Sequence, residues 1–389
     1  MRRAWAKLFL TATVLFGGCL DPYSPPVSDT EVDILVVDGF LDTHEGIANV
    51  SLSKAVPLSS TSESAAEPGA TVTLLDDDGS AFPLQEVSVG QYRVTGVPVK
   101  PTAKYRVHIR TQFGNEYQSD LMGIFQTPPI DSVTWIADEE ELTIRINTHD
   151  ASDKTKYFRW TFEETWAYHA AVLSQYKVIG KQYVDRTPEE MIFYCWNTQP
   201  STNIVIGTTT RLSENLISQT PVAYVPKGSQ KLSMKYSIQV TQRGLGEEEY
   251  TYLDQLRKTT ESIGGLFDPQ PSQVPGNISR LDPSSPLAIG YFGVGNTVKQ
   301  RIFIAAAELP RSFQVGYPVP GCYPPDTVCL IPTAAIKNCT LMAQDLTEAT
   351  TLGGAIYANR TLVGITLTSP RCADCRTMGG VLTKPDFWQ

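Results

Sequence analysis

Short alternating strands separated by glycine-bearing turns constrain this chain more than any other feature. Val36 and Val37 sit in a buried apolar run, residues 49–53 alternate with period two, and residues 70–75 lead into Asp76-Asp77-Asp78-Gly79. That last stretch has the composition of a hairpin turn. Residues 90–94, 105–109 and 114–119 continue the series, and no helical periodicity interrupts it. Strands at this spacing predict an immunoglobulin-like or transthyretin-like β-sandwich over residues 31–128. No cysteine lies in that block, so packing alone must hold it.

Thr127-Pro128-Pro129 marks the predicted boundary, because two prolines end any regular element. Residues 129–389 read as a larger β-rich domain. Strand candidates there are 131–135, 142–146, 157–162, 203–207, 236–241, 289–294 and 300–305. One helix stands out. Glu247, Glu248 and Glu249 open it, Arg257 and Lys258 lie near its end, and Gly264 stops it. Tyr250, Leu253 and Leu256 give it a one-sided apolar stripe. The fold class expected is therefore mainly β, with a sandwich first and a β-rich domain carrying at least one helix after it.

The N-terminus reads as an export signal. Arg2, Arg3 and Lys7 precede an apolar run over residues 8–16, and Gly17 and Gly18 stand before Cys19. The run is shorter than the ~20 residues a membrane span needs. Residues 1–18 are thus expected to be a lipoprotein signal peptide with Cys19 as the acylated mature N-terminus. Phe16 replaces the more usual leucine of that cleavage motif, and the competing reading is an ordinary secreted protein with an incidental cysteine. Residues 19–30, with Pro22, Pro25 and Pro26, read as a stiff tether. The expected location is the outer membrane, lipid-anchored, at the cell surface rather than the periplasmic face.

Six further cysteines remain: Cys195, Cys322, Cys329, Cys339, Cys372 and Cys375. In an oxidising compartment they are expected to form disulfides that staple an irregular C-terminal segment, with the pairing open. Cys372-Ala373-Asp374-Cys375 also has the spacing of a redox pair or half a zinc site. Net charge is −9 and no long basic run is present, which argues against nucleic acid as a partner.

Catalytic signatures are sparse. The four histidines, His44, His108, His149 and His169, show no metal-ligand spacing, and no nucleophile elbow or phosphate loop occurs. Three consecutive aspartates at residues 76–78 suit a turn better than a calcium loop, whose ligands alternate with spacers. Glu163 and Glu164 beside Trp160 and Trp166 are the nearest approach to a glycosidase or glycan-binding site. Neighbours on one strand face opposite ways, however, and catalytic carboxylates must flank one bond. The tryptophans at 135, 160, 166, 196 and 388 are expected to pack in cores rather than stack on sugars. No cofactor, metal site or catalytic residue is expected.

Four blocks carry a family resemblance: residues 157–166, residues 236–242, the run Gly264-Gly265-Leu266-Phe267-Asp268-Pro269 with Pro275-Gly276-Asn277-Ile278, and the ending Cys372-Ala373-Asp374-Cys375 with Lys384-Pro385-Asp386-Phe387-Trp388. Together these resemble the Bacteroidetes lipoprotein family called domain of unknown function 4249, over essentially the whole mature chain. The resemblance implies an outer-membrane lipoprotein that accompanies a TonB-dependent receptor. It supplies no catalytic residues. The function expected is a non-enzymatic accessory or substrate-binding component of a nutrient-uptake complex. A surface glycan-binding protein or hydrolase using the Glu163 region, and a structural envelope lipoprotein, are the alternatives.

Overall fold

A computed structural model describes residues 33–56, 65–179, 182–261, 276–314, 322, 326–330, 341–343, 357–360 and 365–389. The first third forms β1 (Leu35–Asp42), β2 (Ile47–Lys54), β3 (Thr71–Asp76), β4 (Ala81–Pro83), β5 (Gln85–Ser88), β6 (Gln91–Val94), β7 (Tyr105–Arg110) and β8 (Glu116–Ser119). The middle forms β9 (Ile130–Ala137), β10 (Glu141–His149), β11 (Tyr157–His169), β12 (Tyr176–Ile179), β13 (Gln182–Asp185), β14 (Tyr194–Pro200), β15 (Val205–Thr208), β16 (Leu216–Pro226) and β17 (Lys235–Leu245). Helix α1 (Glu247–Glu261) follows, then β18 (Ile278–Arg280), β19 (Ala288–Gly295) and β20 (Thr297–Ala305). Strands β21 (Asp326–Leu330), β22 (Leu341–Ala343), β23 (Tyr357–Arg360) and β24 (Ile365–Thr368) and a short helix α2 (Pro370–Ala373) come last.

The sandwich expected over residues 31–128 forms, and it is not contiguous in sequence. One sheet has the order β19-β1-β2-β6-β5 and the other β18-β8-β7-β3-β4. Strand β19 runs parallel to β1, from Leu35 opposite Ala288 to Asp42 opposite Gly295, and β18 pairs antiparallel with β8. Both late strands fill the core: Ile278, Phe292 and Val294 pack with Leu35, Val37, Leu52, Leu74, Tyr105 and Val107. The apolar pattern of residues 289–294 predicts a strand, but a pattern does not say which strand lies beside it. Gly290 (φ +132°) shows how close the approach is, since a Cβ there would lie 1.8 Å from the Val37 carbonyl oxygen.

The second unit packs a three-stranded sheet, β16-β10-β9, on a sheet of order β14-β11-β17-β20, with β15 also pairing β11. Their shared core holds Ile144, Ile146, Phe158, Trp160, Ile238, Val240 and Ile304. Strand β16 has no counterpart among the strand candidates because Pro221 and Pro226 interrupt it. Its place at a sheet edge resolves the conflict, since an edge strand can leave one row of donors unused. The ladder also shifts register between Ile144 and Arg145, and Pro221 pairs at the shift.

The boundary prolines are pinned at the junction of the two units. Thr127 donates its amide to Asn296 Oδ1 (2.9 Å), and its hydroxyl accepts the amide of Gly244 (2.9 Å). Buried Gln242 donates to the Pro128 carbonyl (2.9 Å) and accepts the indole N–H of Trp160 (2.8 Å). The Asp76–Asp78 stretch is the predicted hairpin turn, with Asp76 accepting the amides of Asp78 and Ser80 (3.1 and 2.7 Å).

The C-terminal staple reaches further back than expected. Cys322 pairs with Cys372, but Cys375 pairs with Cys195 on β14, 180 residues earlier. Each half of the Cys372-x-x-Cys375 motif thus has a distant partner, which overturns the redox-pair and zinc alternatives. Cys329 lies on β21, and Cys339 falls outside the described residues. The tail docks on β14 through paired backbone bonds between Trp196 and Val381 (2.8 and 2.9 Å), and Tyr168 donates to the Cys375 carbonyl (2.8 Å).

A fragment spanning residues 33–128 lacks β18 and β19 and leaves the faces of Val37, Val50 and Tyr117 open to water. It is expected to show a collapsed, poorly dispersed amide spectrum. Appending residues 276–296 through a flexible linker should restore dispersion, and a well-dispersed spectrum from the fragment alone would refute the dependence.

Candidate functional site

The predicted Trp/Glu cluster separates along β11 as strand geometry demands. Trp160 is fully buried, and its indole N–H is spent on Gln242. Glu163 points outward and meets Arg301 (3.1 Å), while Glu164 points inward. Glu164 accepts the Tyr236 hydroxyl (2.8 Å) and pairs with Lys231 (2.5 Å), whose ammonium lies 5.1 Å above the Trp166 ring. Burial, with the Glu164 charge adding to it, pushes the Tyr236 phenol well above its usual range. Glu163 and Glu164 therefore cannot flank one glycosidic bond. Of the tryptophans read as core, Trp160, Trp166 and Trp388 are buried, and Trp135 and Trp196 are half-buried.

The opposite face of the same sheet carries a different constellation. Successive side chains on a strand alternate faces, so Arg159, Thr161 and Glu163 line up across from Arg243, Thr241 and Gln239. Next to these lie Thr297, Lys299 and Arg301 of β20. Arg159 and Arg243 stand directly opposite one another in the ladder. Like charges in that position repel, and the repulsion grows when water is excluded.

Helix α1 answers that repulsion. Its third residue, Glu249, is buried at 4% exposure and pairs with the guanidinium of Arg243, itself 9% exposed. The acidic triplet read as a helix start thus also contributes one buried ion-pair partner. Phe40 stacks on Arg243, with the guanidinium carbon 4.2 Å from the ring centre. Burial pulls Arg243 below its ordinary value and pushes Glu249 above the usual carboxylate range, and each partner partly offsets the shift of the other.

A cleft of about 280 Å³ opens where this face meets the outer face of the first sandwich sheet. Asp38, Phe40, Asn49 and Ser51 form one wall, and Arg159, Thr161, Thr241 and Arg243 form the other. Strand alternation explains the first wall, because Leu35, Val37 and Leu41 point into the sandwich core while Asp38 and Phe40 point out. Sequence reading missed this site. Each contributing segment reads as an ordinary alternating strand, and the only local signal was two arginines on polar strand positions. Among the described residues no group of three or more His, Cys, Asp or Glu is placed to hold a metal ion.

A second feature is an exposed pair of His149 with Asp131. His149 Nδ1 lies 2.7 and 2.9 Å from the Asp131 carboxylate oxygens, not beside its sequence neighbour Asp150. That hydrogen bond, reinforced by the carboxylate charge, holds the imidazole above the usual histidine range. Asp150 instead caps its own loop, accepting the amides of Ser152, Lys154 and Thr155 (2.9, 3.0 and 2.7 Å).

The molecule is thus defined as a two-unit β protein with an immunoglobulin-like sandwich and a polar cleft at the junction. The chain belongs to the family described as Domain of unknown function (DUF4249), whose model matches residues 20–301. No curated protein matches it. Among solved structures it is similar to a two fibronectin type-III domain segment from chicken tenascin at 12% identity, covering 55% of this chain and 92% of that one with a TM-score of 0.16. It is also similar to the Yersinia pseudotuberculosis adhesin InvE at 12% identity, covering 53% of this chain and 54% of that one, about half its length, with a TM-score of 0.14.

Three outcomes follow from this geometry. Glu249→Ala strands buried Arg243 beside Arg159 and should lower unfolding free energy by about 3–5 kcal/mol, read by urea denaturation. Glu163→Gln, on an exposed pair, should change it by less than about 0.5 kcal/mol. For His149 the raised folded value means that its stabilising contribution is present below the ordinary histidine pKa of about 6.5 and is lost as pH rises through the folded value. His149→Gln should flatten the melting temperature in that window, and an unchanged profile would dismiss the coupling.

Proposed function

We propose that this protein is a non-enzymatic binding component of an outer-membrane uptake complex, anchored by lipid at Cys19. The observation that carries the reading is the cleft at the junction of the two units. It gathers polar side chains from β1, β2, β11 and β17 around the Arg159 and Arg243 guanidiniums. A site assembled from both units suits recognition, because binding there can report on, or set, how the units are held. Cys19 and the residues before it lie outside the described residues, so the anchor is supported by the export pattern and by family membership. The partner proposed is a TonB-dependent receptor barrel, on the strength of that family resemblance. No helix among the described residues is long and apolar enough to cross a membrane. A hydrolase working through Glu163 and Glu164 would need them on one face, and they are not.

Native membranes from the source organism provide the test. The wild-type chain should sediment with the outer membrane and co-purify in mild detergent with a β-barrel receptor. Cys19→Ala should move to the soluble fraction. Recovery of the wild-type chain from membranes without any barrel would overturn the accessory role.

A further inference from the structure

The cleft contains two charges of opposite sign with no direct partner among the described residues, Glu249 and Arg243 acting on them only at longer range. Arg243 is neutralised by Glu249, yet Arg159, directly across the ladder from Arg243, has no ion pair or side-chain hydrogen bond among the described residues. Arg159 is half-buried, so water answers its charge only in part. On the facing wall Asp38 is exposed and likewise makes no ion pair or side-chain hydrogen bond among the described residues. The two line the same cleft and do not form an ion pair with each other. Asn49, Thr161 and Thr241 line the same cleft and supply hydrogen-bonding groups of either sense.

We propose that the cleft binds a small amino-carboxylate zwitterion, an amino acid or short dipeptide, with its carboxylate on Arg159 and its ammonium on Asp38. This names the ligand class of the binding site proposed above and rests on that reading. A guanidinium presents a planar fork that matches a carboxylate with two parallel hydrogen bonds. The ligand carboxylate would also offset the part of the Arg159–Arg243 repulsion that Glu249, in contact with Arg243 and farther from Arg159, leaves. A ligand without the ammonium leaves Asp38 facing its own negative charge, and one without the carboxylate leaves Arg159 uncompensated. The volume of about 280 Å³ admits a molecule of this size.

The test is titration of the full chain in detergent with glycine and glycylglycine, followed by calorimetry and by melting temperature, with sodium acetate and ethylamine hydrochloride as single-charge controls. Saturable binding of either zwitterion is expected, with acetate and ethylamine each at least about tenfold weaker, the loss that one charge-assisted contact represents. Arg159→Gln should weaken zwitterion binding by about tenfold or more. Asp38→Asn, an isosteric change at an exposed residue with no ion pair to break among the described residues, should remove the preference for zwitterion over acetate. Absence of saturable binding of both zwitterions, equal affinity for acetate, or Asp38→Asn behaving as wild type would overturn the assignment. Those results leave the membrane co-purification outcome untouched, so the ligand class can fall while the accessory role stands.

Discussion

The parallel pairing of β1 with β19 is the constraint on which the rest of the structure depends. It draws residues 288–295 back across more than 240 positions of chain to the first strand of the sandwich. That return path constrains where β18 and β20 run, because they flank β19 in sequence. Helix α1 follows β17 almost directly, from Leu245 to Glu247, and that turn brings Glu249 back onto Arg243. Strand β20 leaves β19 directly and joins the second sheet beside β17, so one continuous segment belongs to both units. Loop closure over that distance is entropically costly but grows only slowly with length, and four late side chains buried in the sandwich core offset it.

The junction follows from the same connection. Two sheets whose inner faces are mainly apolar present polar outer faces to one another. Polar faces do not seal as tightly as apolar ones, because each charged group needs a partner or water. The Arg243–Glu249 pair and the Thr127–Asn296 bonds supply partners across part of the contact. Where they stop, the cleft remains. Its chemistry is therefore a by-product of strand alternation on both walls, with Arg159 left over from a cross-strand pair of like charges.

Much of the local structure was legible in the residues. The period-two runs at 105–109 and 142–146, the turn at Asp76–Gly79 and the charge-graded helix all appear where local pattern places them. The opposite facing of Glu163 and Glu164 also follows from the strand period alone. What local pattern could not supply was partnership. The apolar run of β19 announces a strand but not β1, and Cys375 announces a disulfide but not Cys195. Glu249 illustrates the limit most sharply. Its position in an acidic triplet at a helix start has a sufficient local explanation, and only the neighbouring strand reveals that it is buried.

The sequence by itself determined the β class and the positions of many of the strands, because each rests on interactions between residues near in chain or on composition. Family membership was legible for the same reason, as a set of short motifs. Only the tertiary structure decided the discontinuous sandwich, the two disulfide pairings and the cleft. Those depend on which surfaces meet after hundreds of residues of chain have closed, and burial and charge compensation at a contact are properties of both surfaces together.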